Sequence, residues 1–424
     1  MRVLARRPIP SRSQAGRPGS RRGPLLGIDR GGWLLFAAQG FSGLGTGPFT
    51  VFAAIYQKQL GASALEIGMI AALGTVLGTL SMIPGTRLAE AYHLRPTLLA
   101  GWILAIPAPL CFALAPDWTL TAVGSAFLGL SVCNTPAMNV YLTLGVPRDR
   151  LAMVMTFVLS SFSLGLIVST LSAGALAQWM GMRWLFASSL LLFGLATVCV
   201  AFLPRKTLPA EVQLRIPYRS LFSHRAFLPL MALFSLMTVI IFIPWTFLPL
   251  YAKEVGHVDS VGVGALIAIL FCGSVLAGTA LASLRRRVGS LAVVLTFEGL
   301  FILSGVALFA ARAFPALVVA CFLRGGFWSF RQVMTAVIGE VLPPAALAKG
   351  YGLFALVTGT AAAIAYPLGG WMYGRGPLIP FWASAAMMGS GVVLTILWRG
   401  NFGSAQSPVT RPETTPEQVL PEAA

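Results

Sequence analysis

The sequence predicts an all-α integral membrane protein of twelve transmembrane helices in two pseudo-symmetric six-helix bundles. Three observations predict this fold class: a lipid-like composition, apolar segments of spanning length and an internal repeat. Hydrophobic residues make up 57% of the 424 residues and charged residues only 10%, whereas a soluble domain carries roughly 25% charged residues. A chain of this composition is expected to lie in a bilayer.

Twelve apolar segments reach the length of about 20 residues that a helix needs to cross a bilayer. The polar stretch 204–225 is predicted to link a first bundle, 31–203, to a second, 226–400. The Arg-rich tail 1–30 and the tail 401–424 are predicted to be disordered. The predicted spans lie near 32–56, 65–86, 97–116, 119–143, 151–177, 183–203, 226–251, 260–283, 290–312, 315–341, 348–373 and 377–398.

Parts of the first bundle recur in the second bundle in the same order. Residues 52–61 match 247–256, with tyrosine, lysine and glycine at corresponding positions, and 85–89 match 278–282. The repeat is too long for a solenoid, whose units have roughly 20–50 residues. Two parallel copies of a six-span unit are instead the plan of a large class of transporters.

The placement of the basic residues predicts the topology. The chain has 30 basic and 13 acidic residues, a net charge of +17, and most of the basic residues lie in the tails, the linker and alternate junctions. Because basic loops stay on the cytoplasmic side, both termini are predicted to be cytoplasmic in a multi-pass protein of the cell (inner or plasma) membrane. The positive charge is therefore a topology signal, and no nucleic-acid partner is expected.

No enzyme motif is present. The sequence holds no Gly-x-x-x-x-Gly-Lys-Ser/Thr loop, and its three histidines lie at span ends or in loops. The five cysteines all fall in spans, without the spacing of a metal site. We therefore expect no catalytic residue, cofactor or metal. The expected partners are a small solute, the lipid bilayer and a proton or another coupling ion, and the protein is expected to be a monomer.

Two short motifs resemble the loop signature of the major facilitator superfamily. They are 85–95, between spans 2 and 3, and 278–289 in the second copy. Glu90 stands at the acid position of the first motif, whereas the second motif keeps its arginines but has Ser283 at that position. Together with the repeat and the twelve spans, these motifs identify the chain as a member of this family over about residues 32–398.

The resemblance implies how the molecule works. Two bundles surround a central cavity and rock to expose it to alternate sides of the membrane, and spans 1, 4, 7 and 10 line the cavity. The loop signatures form a charge network that holds one state. The residues implied for this gate network are Gly85, Arg87, Glu90, Arg95 and Glu340.

Three ionisable residues lie at membrane depth, where a charge costs about 2.5–3.5 kcal/mol on insertion scales. Arg324 and Arg331 are seven residues apart in span 10, which places them on one helix face with Trp328 between them. In a functional interpretation, these three residues face the cavity and bind an anionic substrate. In a structural interpretation, Arg331 pairs with Glu298 of span 9. Glu298 is also the candidate for proton coupling.

Neutral side chains complete the predicted substrate site. Gln39 in span 1 and Asn134 in span 4 offer polar contacts, and Trp245 in span 7 offers an apolar wall. The resulting hypothesis is a secondary active transporter that moves a small organic solute by alternating access, with efflux favoured over uptake. Proton coupling and an anionic substrate stay open. The alternative is a non-transporting membrane sensor or scaffold with the same fold.

Overall fold

Backbone amides and carbonyls find no partner in hydrocarbon, so a chain this apolar folds into helices that satisfy them internally. The computed structural model describes residues 28–92, 94–144, 146, 148–206, 221, 225–309, 314–342 and 347–403. No strand occurs among these residues, and most of the predicted tails and of the predicted linker lies outside them. The helices are α1 (Arg30–Gln59), α2 (Ala64–Tyr92), α3 (Leu94–Ala105), α4 (Pro107–Ala113), α5 (Trp118–Ser131), α6 (Thr135–Thr143), α7 (Arg148–Ala201), α8 (Phe227–Trp245), α9 (Leu248–Glu254), α10 (Ser260–Phe309), α11 (Phe314–Arg324), α12 (Gly326–Val341), α13 (Leu347–Arg375), α14 (Ile379–Leu397) and α15 (Gly400–Gly403).

Two of these helices contain two predicted spans each. Helix α7 kinks at Gly181 (φ 79°) and α10 kinks at Gly289 (φ 87°), in a left-handed conformation that favours glycine. The chain turns back at each kink: Ser169 and Phe193, on either side of Gly181, both lie against the same stretch of α1. Other spans are divided, and a 3₁₀ turn at Val132–Asn134 separates α5 from α6.

The helix count is consistent with the prediction. By length and hydropathy, nine segments of the described chain are able to cross a membrane. One of them, Met153–Ala201, contains the Gly181 turn and is long enough for two crossings. Helix α1 and the pair α11 and α12 lie where the two remaining spans are predicted.

The two sides of the molecule differ in how the bundles meet. We call the side where α1 starts at Arg30 the terminal side, and the side where it ends at Gln59 the far side. One buried hydrophobic cluster lies within each bundle, and a third joins both bundles at the far side, where Phe52 and Phe186 share it with Phe247. Between the bundles, α2 packs against α13 and α7 packs against α10.

Candidate substrate cavity

A cavity of about 420 Å³ lies between the two bundles, within the roughly 300–1,000 Å³ typical of small-molecule sites. Its lining comes from α2, α5, α8, α12 and α13, with Val132 of the 3₁₀ turn. Along α2 it extends from Ile70 to Met82, which is about 18 Å at 1.5 Å per residue. Spans 4, 7 and 10 therefore contribute as expected. The expectation for span 1 is wrong, because no residue of α1 in the described chain lines this cavity.

Arg331 supplies the charge of the cavity. It lies on α12 near the middle of span 10, and none of the other lining residues, all in the described chain, is charged. Its side chain is exposed to the cavity, and no hydrogen bond or ion pair ties it to another described side chain. A guanidinium in this position presents several N–H donors to whatever enters.

Threonine hydroxyls add weaker polarity to the lining. Each donates to a backbone carbonyl one turn earlier in its own helix, over 2.7–2.9 Å, which leaves oxygen lone pairs as acceptors. These oxygens are able to accept a hydrogen bond from an N–H or O–H group of a solute, but they do not attract an anion. The threonines are Thr75, Thr79, Thr238 and Thr358.

An aromatic wall, formed by Phe242, Phe327 and Tyr366, borders the cavity on the side of the second bundle. Phe242 meets Phe327 edge to face with ring centroids 5.1 Å apart, and meets Tyr366 at 5.4 Å. Trp245 lies behind this wall, 5.5 Å from Phe327. Trp245 does not line this cavity, because it lies one turn nearer the far side, where the bundles close; its role in substrate binding stays a prediction.

A polar cluster closes the far side. Lys58 of α1 pairs with Glu254 of α9 at 2.5 Å, and the Tyr373 hydroxyl donates to the same carboxylate at 2.9 Å. Glycines let the bundles approach closely nearby: a Cβ at Gly174 would lie 2.4 Å from the Ser260 carbonyl oxygen. The structure is therefore closed at the far side.

Arg324 lies elsewhere than predicted. Its side chain is 1% exposed and does not line the cavity. Its guanidinium lies over the rings of Phe301, at 4.6 Å, and Phe381, at 5.5 Å, and its three nitrogens have no hydrogen-bond partner among the described residues. The predicted shared face with Arg331 is wrong. The two side chains therefore have different surroundings although they are seven residues apart, and Gly325 between them keeps helical dihedral angles (φ −55°, ψ −27°).

Gln39 and Asn134 also lie away from the cavity, contrary to the prediction. Gln39 is 8% exposed on α1, where the adjacent Gly40 meets Gly165 of α7. Asn134 lies in the 3₁₀ turn of span 4 and packs against Gly101 of α3. The side chain of Asn134 is therefore directed at a neighbouring helix of its own bundle, where the small Gly101 allows close packing.

Glu298 is fully buried between α10 and α14. The Thr395 hydroxyl donates to Glu298 Oε1 at 2.7 Å, and Oε2 has no partner in the described part of the chain. No described ion pair joins Glu298 to Arg331, and Glu298 does not line the cavity. The predicted pairing of these two charges is therefore not observed.

The predicted gate network is described only in part, and it stays a prediction. Gly85 packs so closely that a Cβ would lie 2.0 Å from the Cys133 carbonyl oxygen. Arg95 donates to the carbonyl oxygen of Ala201 at the end of α7, and Arg87 is exposed. The following predicted site residues have side chains outside the described part: Glu90, Trp328 and Glu340.

Two helical bundles around a cavity that is closed on one side have the geometry of an alternating-access carrier. The model of the Major Facilitator Superfamily matches residues 35–331. The chain belongs to the major facilitator superfamily. As a superfamily member, it is a multi-pass membrane transporter and not an enzyme.

Solved structures agree with this assignment. Crystal structures of the nucleoside transporter NupG and of a single-residue mutant of it align with TM-scores of 0.70 and 0.72. Each is 14% identical in sequence, and the alignments cover 89% and 88% of this chain and 100% and 99% of theirs. At this identity, the likeness shows the fold alone. No curated protein sequence matches the chain.

Sequence reasoning missed the contribution of spans 2 and 11 to the cavity. Helix α2 presents Ala71, Thr75 and Thr79 to it at four-residue spacing, and α13 presents a similar stripe of small and hydroxyl residues. This stripe could have predicted the cavity lining, but small residues are also typical of helix–helix contacts in a membrane. The pattern alone therefore does not distinguish a cavity lining from a contact between two helices.

Proposed function

We propose that this superfamily member is a secondary active transporter that exports a small anionic organic solute across the cell membrane by alternating access. In this proposal both termini are cytoplasmic and the protein works as a monomer. Export is favoured because the sequence holds no motif of a dedicated nutrient carrier. The observation that carries the proposal is Arg331, a charge exposed to the cavity and bonded to no other described side chain.

Arg331 fits an anion for electrostatic and geometric reasons. Its planar fork of donors matches a carboxylate or phosphate with two parallel hydrogen bonds. Hydrogen bonds to charged groups contribute about 1.5–3 kcal/mol, so the anion should bind about 10–100 times more tightly than a neutral analogue. The aromatic wall would then hold an apolar or planar part of the solute.

The closed far side supports alternating access. The Lys58–Glu254 pair and the glycine contacts must separate before the cavity opens to the far side. An exposed ion pair contributes only about 0–1 kcal/mol. Separation of Lys58 from Glu254 therefore adds little to the free energy needed to open the far side. The opposite end of the cavity, near Met82 and Met334, points towards the terminal side.

A flux assay with matched solutes tests the proposal. Proteoliposomes would be given pairs of aromatic carboxylates and their neutral amides, with and without an imposed pH gradient to detect proton coupling. Wild type should prefer the carboxylate, and Arg331→Ala should weaken its apparent affinity about 10–100-fold while the amide changes less than about twofold. Arg375→Ala, at an exposed arginine stacked on Trp371, is the matched control.

A neutral planar solute is the second candidate. The aromatic wall is suited to stacking, and the similar structures are those of a nucleoside transporter. A nucleoside in the same panel separates the two candidates, because its transport would survive Arg331→Ala unchanged. Absence of flux for every solute would instead favour the non-transporting sensor or scaffold and overturn the transport proposal.

A further inference from the structure

A second concavity lies in the second bundle, beside the turn within α10. It measures about 280 Å³ and is separate from the central cavity. Two alanines, Ala277 and Ala280, and three leucines, Leu281, Leu284 and Leu300, line most of it. We call this concavity the α10 groove. All of its lining residues belong to α10, and Ala280, Arg287 and Thr296 among them are exposed, so we expect lipid to surround it.

Among the described lining residues of the α10 groove, Arg287 is the one that carries a charge. The Ser283 hydroxyl donates to a carbonyl of its own helix at 2.7 Å, and the Thr296 hydroxyl does the same at 2.7 Å. Arg287 lines the groove, is exposed, and has no hydrogen bond or ion pair with another described residue. It lies two residues before the Gly289 kink, at the terminal end of the groove.

The duplicated sequence explains why no described carboxylate pairs with this cation. Ser283 and Arg287 are four residues apart, so they lie on one face of α10. In the first copy of the motif, an acid, Glu90, stands at the position that Ser283 occupies in the second copy. The second copy therefore keeps the bases and lacks the carboxylate that could neutralise them.

We propose that the α10 groove binds one anionic phospholipid of the surrounding bilayer. An acyl chain lies along the alanines and leucines, and the headgroup phosphate meets Arg287. The groove lies on the terminal side, which is the predicted cytoplasmic side, where anionic lipids and juxtamembrane bases attract each other.

The headgroup, not the chain, sets the selectivity. Lipid tails are as apolar as the leucines of the groove, so a chain gains little by leaving the bilayer. A basic residue near the surface favours an anionic lipid by about fivefold over a zwitterionic lipid, equivalent to about 1 kcal/mol.

Native mass spectrometry tests the proposal on the full-length protein. The probes are phosphatidylglycerol and phosphatidylcholine with identical acyl chains, supplied in equal amounts. Wild type should retain about five times more phosphatidylglycerol, and Arg287→Gln should bring the ratio close to one. Arg225→Gln, at another exposed arginine of the terminal side, should keep the wild-type ratio. Equal ratios in wild type and Arg287→Gln would overturn the proposal.

Two further variants keep the proposal testable if Arg287→Gln folds poorly. Ser283→Asp supplies the missing carboxylate and should lower the preference while Arg287 stays in place. Ala280→Phe fills the groove and should remove one bound lipid of either kind; full retention by both variants would contradict the site. Excess inorganic phosphate should leave the lipid bound, and displacement by phosphate would show a free-anion site instead.

Discussion

Two arginines of the same predicted span have opposite surroundings. Arg331 is exposed to the cavity between the bundles, whereas Arg324 is enclosed by helices of the second bundle with Phe301 and Phe381 against its guanidinium. Of the two, Arg331 is the one placed to meet a solute. A charge in a membrane span thus indicates a site only when the direction of its side chain is also known.

The surroundings assign different physical roles to the two arginines. A solute anion is able to complete the hydrogen bonds of Arg331. Arg324 makes cation–π contacts, which contribute about 2 kcal/mol or more when desolvated. Burying a charge that no described counter-ion pairs costs more than this. Changes at Arg331 should therefore alter selectivity, and changes at Arg324 should alter stability.

Reversal of the charge at Arg331 should have the largest effect. Arg331→Glu replaces attraction by repulsion, so binding of an aromatic carboxylate should weaken more than about 100-fold while the neutral amide changes less than about twofold. Competition binding to the purified protein measures both affinities. Wild-type carboxylate affinity in this variant would remove Arg331 from the site.

Cysteine accessibility sharpens the comparison. With the five native cysteines replaced, Arg331→Cys should react with a membrane-impermeant maleimide from the terminal side, whereas Arg324→Cys should stay unreactive. Adding Lys58→Ala breaks the pair with Glu254 and should raise far-side labelling of Arg331→Cys by up to about fivefold. Equal labelling at both positions would contradict the different surroundings of the two arginines.

Replacement of the buried arginine by an apolar side chain should stabilise the protein. Apolar replacement of buried ion pairs is often neutral or stabilises by about 1–4 kcal/mol. Arg324 has no described counter-ion to lose, so Arg324→Met should raise the melting temperature and leave solute selectivity unchanged. Arg375→Met is the surface control. A lower melting temperature for Arg324→Met would show that its charge has a partner that stabilises the fold.

The smallest effect is expected at Thr395. Thr395→Val removes the hydrogen bond to Glu298 and should lower the free energy of unfolding by about 1 kcal/mol. Thr360→Val is the matched control, because this exposed hydroxyl bonds only within its own helix. A change in the pH dependence of flux in Thr395→Val, without loss of stability, would instead favour a coupling role for Glu298.

The fold was predictable because the bilayer fixes the length of each span. The apolar segments end where polar loops begin, and the turns at Gly181 and Gly289 fall between predicted spans. The internal repeat of the sequence then predicts that there are two bundles. These signals depend on composition and order along the chain and require no knowledge of side-chain direction.

The site was less predictable, because the direction in which a side chain points decides whether that residue lines the cavity. Charge marks both arginines equally in the sequence, but the guanidinium of Arg324 lies over Phe301 and Phe381, whereas Arg331 lines the cavity. The aromatic wall was missed for a different reason. In lipid, apolar residues face outwards as well as inwards, so Phe242 cannot be told from a lipid-facing phenylalanine by its hydrophobicity.

The ratio of carboxylate to amide affinity in wild type, Arg331→Ala and Arg324→Met tests the central claim most directly. Isothermal titration on the purified transporter would give each ratio for one matched solute pair. The ratio should fall about 10–100-fold in Arg331→Ala and stay at the wild-type value in Arg324→Met. An unchanged ratio in Arg331→Ala, or a loss of the same size in Arg324→Met, would contradict the assignment of anion recognition to Arg331.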